Sequence, residues 1–120
     1  MAIEEFAKQL RAMGYEVTEY PDGRVSFPYA IEIGKFDGQE ITLGFAVLPD
    51  FPLSPPTGPH IRPRLLAINP PQGPHPTHGI HESPFGAEWQ YWSRPISHWT
   101  STERTVADVM RHVRGLFATQ

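Results

Sequence analysis

Three histidines spaced by three, His75, His78 and His81, stand beside Glu82, Ser83 and Glu88 in a proline-crowded part of the chain. Imidazole titrates nearest neutral pH, and with a carboxylate beside it supplies the raw material for general acid and base work. Three imidazoles also suit a metal held by three ligands with one position left open. On a helix these residues would line one face, but Pro76 and Gly79 oppose a helix, so any convergence must come from a loop stiffened by Pro74, Pro76 and Pro84. Exposed or structural histidines, a catalytic or ligand-contacting role, and a metal site are all compatible with the spacing. Nothing in it sets the mutual geometry of the His and Glu side chains.

Around this loop, between Pro49 and Trp99, lie twelve of the fourteen prolines, five of the six histidines and all three tryptophans. So few free backbone donors predict a fixed irregular surface rather than regular helix or central strand. Trp89, Tyr91 and Trp92 are large amphipathic side chains of the kind that dominate contact surfaces, and Arg94 follows them. Their plainer role is to cover the end of a sheet. That role suits Trp89 and Trp99, with Trp99 in the core, and leaves Trp92 and Arg94 as the better contact candidates. Phe51 to Pro56 is a stiff turn that can also contact a partner, because a preorganised loop loses little entropy on binding.

Composition removes several chemistries. The 120-residue chain has no cysteine, so disulfides, thiolate metal sites and thiol nucleophiles are absent together, which fits a reducing compartment. A net charge of −3 with scattered Lys and Arg offers no footprint for a phosphate backbone, so nucleic acid is not an expected partner. No apolar run approaches the roughly 20 residues that span a bilayer. Glu4 and Glu5 stand where a secretory signal carries bases, so the expectation is a cytoplasmic protein with no membrane partner. No glycine-rich phosphate loop follows a strand, and no cofactor is expected.

The elements that must hold these residues are legible as periods. Ile3, Phe6, Ala7, Leu10 and Met13 recur at helical steps, and Gly14 is placed to stop the helix. Alternation from Tyr15 to Tyr20, a Pro21-Asp22-Gly23 turn, an extended run from Arg24 to Ile33, a Phe36-Asp37-Gly38 turn, and Ile41, Leu43, Phe45 and Val47 on one face predict an antiparallel meander. His60 to Arg64 suits one more short strand, confined by Pro59 and Pro63 to a sheet edge or a strand start. Between Ala67 and Thr100 nothing is periodic. Thr100-Ser101-Thr102-Glu103 fits a capping box, and Val106, Val109, Met110, Val113, Leu116 and Phe117 follow at helical steps with Asp108, Arg111, His112 and Arg114 opposite. The expectation is a single α+β domain over residues 1–120, with its helices against one sheet.

Within this order, Asp50-Phe51-Pro52-Leu53-Ser54-Pro55-Pro56 resembles the aromatic-Pro-x-x-Pro-Pro element that follows the third strand of ubiquitin-conjugating E2 domains. His75-Pro76-Thr77 resembles their His-Pro-Asn motif, and Trp99 with Thr105, Val106, Val109 and Leu116 resembles their Trp and following helix. Trp89-Gln90-Tyr91-Trp92-Ser93-Arg94 looks like the Trp-rich signature of prokaryotic E2-like proteins, whose relatives accompany ubiquitin-like proteins, E1-like enzymes and metallo-isopeptidases. The resemblance implies a UBC-like fold: N-terminal helix, antiparallel meander of about four strands, long Pro-rich irregular segment, C-terminal helix.

It also implies a departure. An E2 carries its ubiquitin-like protein as a thioester on a cysteine shortly after His-Pro-Asn; here His81 falls nearest that position, Ser83 close by, and Thr77 stands for the Asn. Both losses argue against thioester chemistry. The resemblance therefore implies a binding module for a ubiquitin-like protein or its E1-like or E2-like partner, with Phe51, Pro52, Pro55, Pro56, Trp89, Trp92 and Arg94 as contacts. The alternative is a His-dependent acyl-transfer or hydrolytic enzyme on the same scaffold, using His75, His81 or Ser83, or a metal on His75, His78 and His81.

Overall fold

The apolar stripe at the start of the chain forms α1, Ala2–Ala12, with Glu4 and Glu5 in its first turn, where carboxylates complement the helix dipole. It buries Phe6, Ala7 and Leu10. Gly14, at φ +96°, ends it as the sequence suggests; the Gly14 N–H donates to Arg11 O (3.0 Å) and the Tyr15 N–H to Leu10 O (3.2 Å), a Schellman closure. That turn carries Met13 off the buried stripe, and it is 46% exposed. The chain is seen here in a computed structural model that describes residues 2–65, 80–92, 96 and 98–118, with the backbone alone at 80–82.

The sheet has six antiparallel strands in the order β1-β2-β3-β4-β6-β5: β1 Thr18–Glu19, β2 Arg24–Ala30, β3 Glu40–Ala46, β4 His60–Arg62, β5 Ile80–Ser83 and β6 Gly86–Trp92. The predicted meander is present, with strands added to the expected four. Pairing puts Val25 beside Phe45, Phe27 beside Leu43, and Leu43 beside Ile61, so one face carries a continuous apolar surface. Phe6 and Leu10 of α1 pack on that face with Val106, Val109, Val113 and Phe117 of α2, Val106–Ala118. Such burial stabilises by roughly 1.5–3 kcal/mol per large side chain.

Prolines are accommodated rather than excluded. The Ile31 N–H donates to Gln39 O and the Val47 N–H to Gly23 O, so odd-numbered residues of β2 bond toward β3 and even-numbered ones face β1. Pro28 is even, and β1 ends at Thr18 opposite Ser26, so its missing donor interrupts no ladder. Pro59 and Pro63 likewise flank the three paired residues of β4. Of the two positions expected for it, a sheet edge or a strand start, β4 does not take the edge: it lies between β3 and β6, starting just after Pro59, with the Trp92 N–H donating to Pro59 O at 2.9 Å.

The largest correction concerns the segment expected to be irregular, where β5 and β6 form a hairpin that closes the sheet. From Gly86 to Trp92 there is no proline, so every residue can donate. Trp92 and Gln90 point inward while Trp89 and Tyr91 point outward, and large groups on both faces hide the period-two signal. The capping box is also displaced. Thr100 and Ser101 belong to a short 3-10 helix, Trp99–Ser101, and α2 is capped by Thr105. Asp108 Oδ2 accepts from the Thr105 N–H (3.0 Å) and hydroxyl (2.8 Å), so Asp108 is buried in the cap rather than spread on the polar face.

Candidate functional site

Two surfaces combine fixed geometry with exposed chemistry. The first is the turn after β3. Phe51 is 5% exposed, with its ring centroid 5.2 Å from Phe6 and 6.1 Å from Trp99, so the aromatic of this element is an anchor and not a contact. The Trp99 indole N–H donates to Pro52 O at 2.8 Å, and the Ser54 hydroxyl donates to Asp50 Oδ2 at 2.8 Å. Pro56 is buried and Pro55 half-buried. Pinned at both ends, the turn presents Pro52 and, above all, Leu53, which is 66% exposed. Leu53 lies inside the expected element, but its solvent-facing position was not distinguishable from that of Phe51 by residue type.

The second surface is the sheet face turned away from the helices. Gly44 makes it possible: an added Cβ would lie 2.4 Å from the Phe85 ring and 3.1 Å from Trp89, so only the bare backbone lets those rings settle on β3. Beside them His60 is stacked between Phe85 (4.1 Å) and Tyr91 (4.6 Å), and its Nδ1 shares a 2.7 Å hydrogen bond with Ser83 Oγ. Ser83 Oγ also accepts the Phe85 N–H at 3.0 Å, which holds the hairpin turn against β4. Burial, and then the nearby Arg24 charge, push the His60 imidazole down to about 4. The ring is therefore neutral near pH 7, and its hydrogen bond with Ser83 ties the β5–β6 hairpin to β4.

At the margin of this cluster Tyr20, Arg24, Arg62, Phe85 and Trp89 enclose a cleft of about 200 Å³. The guanidinium carbons of Arg24 and Arg62 each lie 5.0 Å from a ring centroid, Phe85 and Trp89 respectively. Asp22 pairs with Arg24, and this hydrogen bond holds the Asp22 carboxyl below its usual range. Arg62 reaches Thr42 Oγ1 at 3.5 Å and meets no carboxylate among the described residues.

The remaining expected residues divide as follows. Trp92 is fully buried, its ring 5.3 Å from Phe117 and its N–H donating to Gln90 Oε1 at 3.0 Å, so it belongs to the core and cannot touch a partner directly. The large apolar ring outweighed the exposed position suggested by its proline-rich neighbourhood. Trp89 is 7% exposed and covers the outer sheet face, while Trp99 is in the core. His75, His78 and Arg94 lie outside the described residues; His81 is placed in β5 by its backbone, paired with Tyr91. Among the described residues no group of three His, Asp or Glu is arranged to hold a metal. No described helix is long and apolar enough to cross a membrane.

Compared with models of known families, with curated proteins and with solved structures, the chain finds no match.

Proposed function

We propose that this chain is a non-catalytic E2-like module of a prokaryotic ubiquitin-like conjugation system, which recognises a ubiquitin-like protein or its E1-like or E2-like partner. The observation that carries the reading is the pinned turn after β3. It carries the residues that resemble the E2 aromatic-Pro-x-x-Pro-Pro element, is braced by Trp99 ahead of α2, and offers Leu53 to solvent at 66% exposure. A rigid apolar projection of this kind suits contact, and a chain without cysteine has no thiol for a thioester. The UBC-like identity draws further support from the order helix, antiparallel sheet, helix.

The test is calorimetric titration of the purified chain with a ubiquitin-like protein, an E1-like enzyme and an E2-like enzyme encoded beside it. One of them is expected to bind. Leu53→Ala should weaken that complex by a hot-spot increment of about 2 kcal/mol, roughly thirtyfold in Kd, while leaving the melting temperature unchanged. No binding by any of the three, or a Leu53 variant that binds as tightly as the parent, overturns the proposal.

A further inference from the structure

Where the end of α1, the end of β2 and α2 meet lies a cleft of about 400 Å³, which shares no lining residue with the surfaces described above. We infer that it binds an uncharged, mainly apolar small molecule bearing a hydrogen-bond acceptor, its body against Met13 and Met110 and its acceptor on the hydroxyls of Tyr15 and Tyr29.

Apart from Met1 the chain has two methionines, and both line this cleft. Met13 is 46% exposed because the Gly14 turn carries it off the buried stripe of α1, so a flexible, polarizable side chain that adapts to an apolar ligand stands open. The two tyrosines are fixed by their rings. Tyr15 packs on Phe27 at 4.9 Å and Tyr29 on Phe117 at 6.0 Å, while among the described residues neither hydroxyl has a hydrogen-bond partner. Burial first, and then Glu32 for Tyr15 and Tyr15 for Tyr29, hold both phenols above their usual titration, so each keeps its proton as a donor.

The charges at the mouth select against an ion. Arg111 is held by Asp108 at 2.8 Å and Arg114 faces Glu32 at 3.9 Å, so each cation of the lining has its own carboxylate. An anion drawn to Arg114 meets Glu32, and a cation drawn to Glu32 meets Arg114, so for either sign the opposing Coulomb terms leave the cost of desolvation unmet. An uncharged molecule avoids that cost. The cleft falls near the lower end of the range of about 300–1,000 Å³ found for small-molecule sites, which suits a compact ligand.

The experiment labels the methionine methyl groups of the full chain with ¹³C and follows Met13 and Met110 by NMR during titration with acetophenone, benzoate and benzylammonium. These probes share a ring and differ in charge. Acetophenone is expected to give a saturable shift of both methyl resonances, and each ion to bind roughly tenfold more weakly. The double variant Tyr15→Phe/Tyr29→Phe keeps the packed rings and should weaken acetophenone by about threefold to tenfold, with the melting temperature unchanged. Ala107→Leu, at an exposed position of α2 in the lining, should fill the cleft and abolish the shift. No saturable shift, an ion that binds as tightly as the ketone, or indifference to either variant overturns the assignment. Methyl resonances that move on dilution without ligand, the mark of a second copy seated in the cleft, overturn it as well.

Discussion

At His60, burial between Phe85 and Tyr91 and the positive charge of Arg24 act in the same direction, and the ring is held neutral with its titration lowered to about 4. An unfolded chain protonates the same histidine near 6.5. Between these values the unfolded state binds a proton that the folded state refuses, so stability declines as pH falls from about 6.5 to about 4. The full loss is roughly 3 kcal/mol, and urea unfolding followed across that range should show it. His60→Phe keeps a ring in the stack and removes the proton site, so its profile should be nearly flat over the same window. Asp108 acts lower on the scale. Its carboxyl is held down first by the Thr105 backbone N–H, then by the Thr105 hydroxyl and Arg111, so its contribution is lost only below the ordinary carboxylate range.

Among the elements, the helices were legible because one face of each is apolar at a period near 3.6 and the other polar. Their ends were legible only where one residue type has one use. Gly14 marked the end of α1, whereas the cap expected at Thr100 lies at Thr105, next to the start of α2. The Val106 N–H donates to Gln9 Oε1 of α1 at 2.9 Å, a partner 97 positions away that no local pattern announces. Asp108→Ala should therefore cost about 1–2 kcal/mol by removing the reciprocal cap, measured as a drop in unfolding free energy at pH 7. The β5–β6 hairpin was illegible for the opposite reason. Its alternation is real, but Gln90 is inward and fully buried, accepting from the Leu65 N–H (2.8 Å) and the Trp92 indole (3.0 Å), while Trp89 is outward and aromatic.

Taken whole, the molecule is a sheet covered on one face by two helices and on the other by a small aromatic cluster. The α+β layout and the stiff turn after β3 could be read from order and composition. The cleft could not, because Tyr20, Arg24, Arg62, Phe85 and Trp89 are ordinary residues until pairing of β2, β3, β4 and β6 sets them side by side. Phe6 shows how strongly the helix side is coupled. It touches Phe45 at 5.8 Å and Phe51 at 5.2 Å, joining helix, sheet and turn in one cluster. Phe6→Ala should cost about 3–5 kcal/mol, a large share of the roughly 5–15 kcal/mol that holds such a domain, read from denaturant midpoints.

The margin of the sheet at β2 has one more effect. Beyond the two residues of β1 it offers a proline instead of an amide at Pro28, so a second molecule cannot lay a full-length strand along that border. Edge-to-edge stacking of copies needs a pairing border on both sides of each sheet, so hindering this one hinders growth of a continuous sheet as a whole.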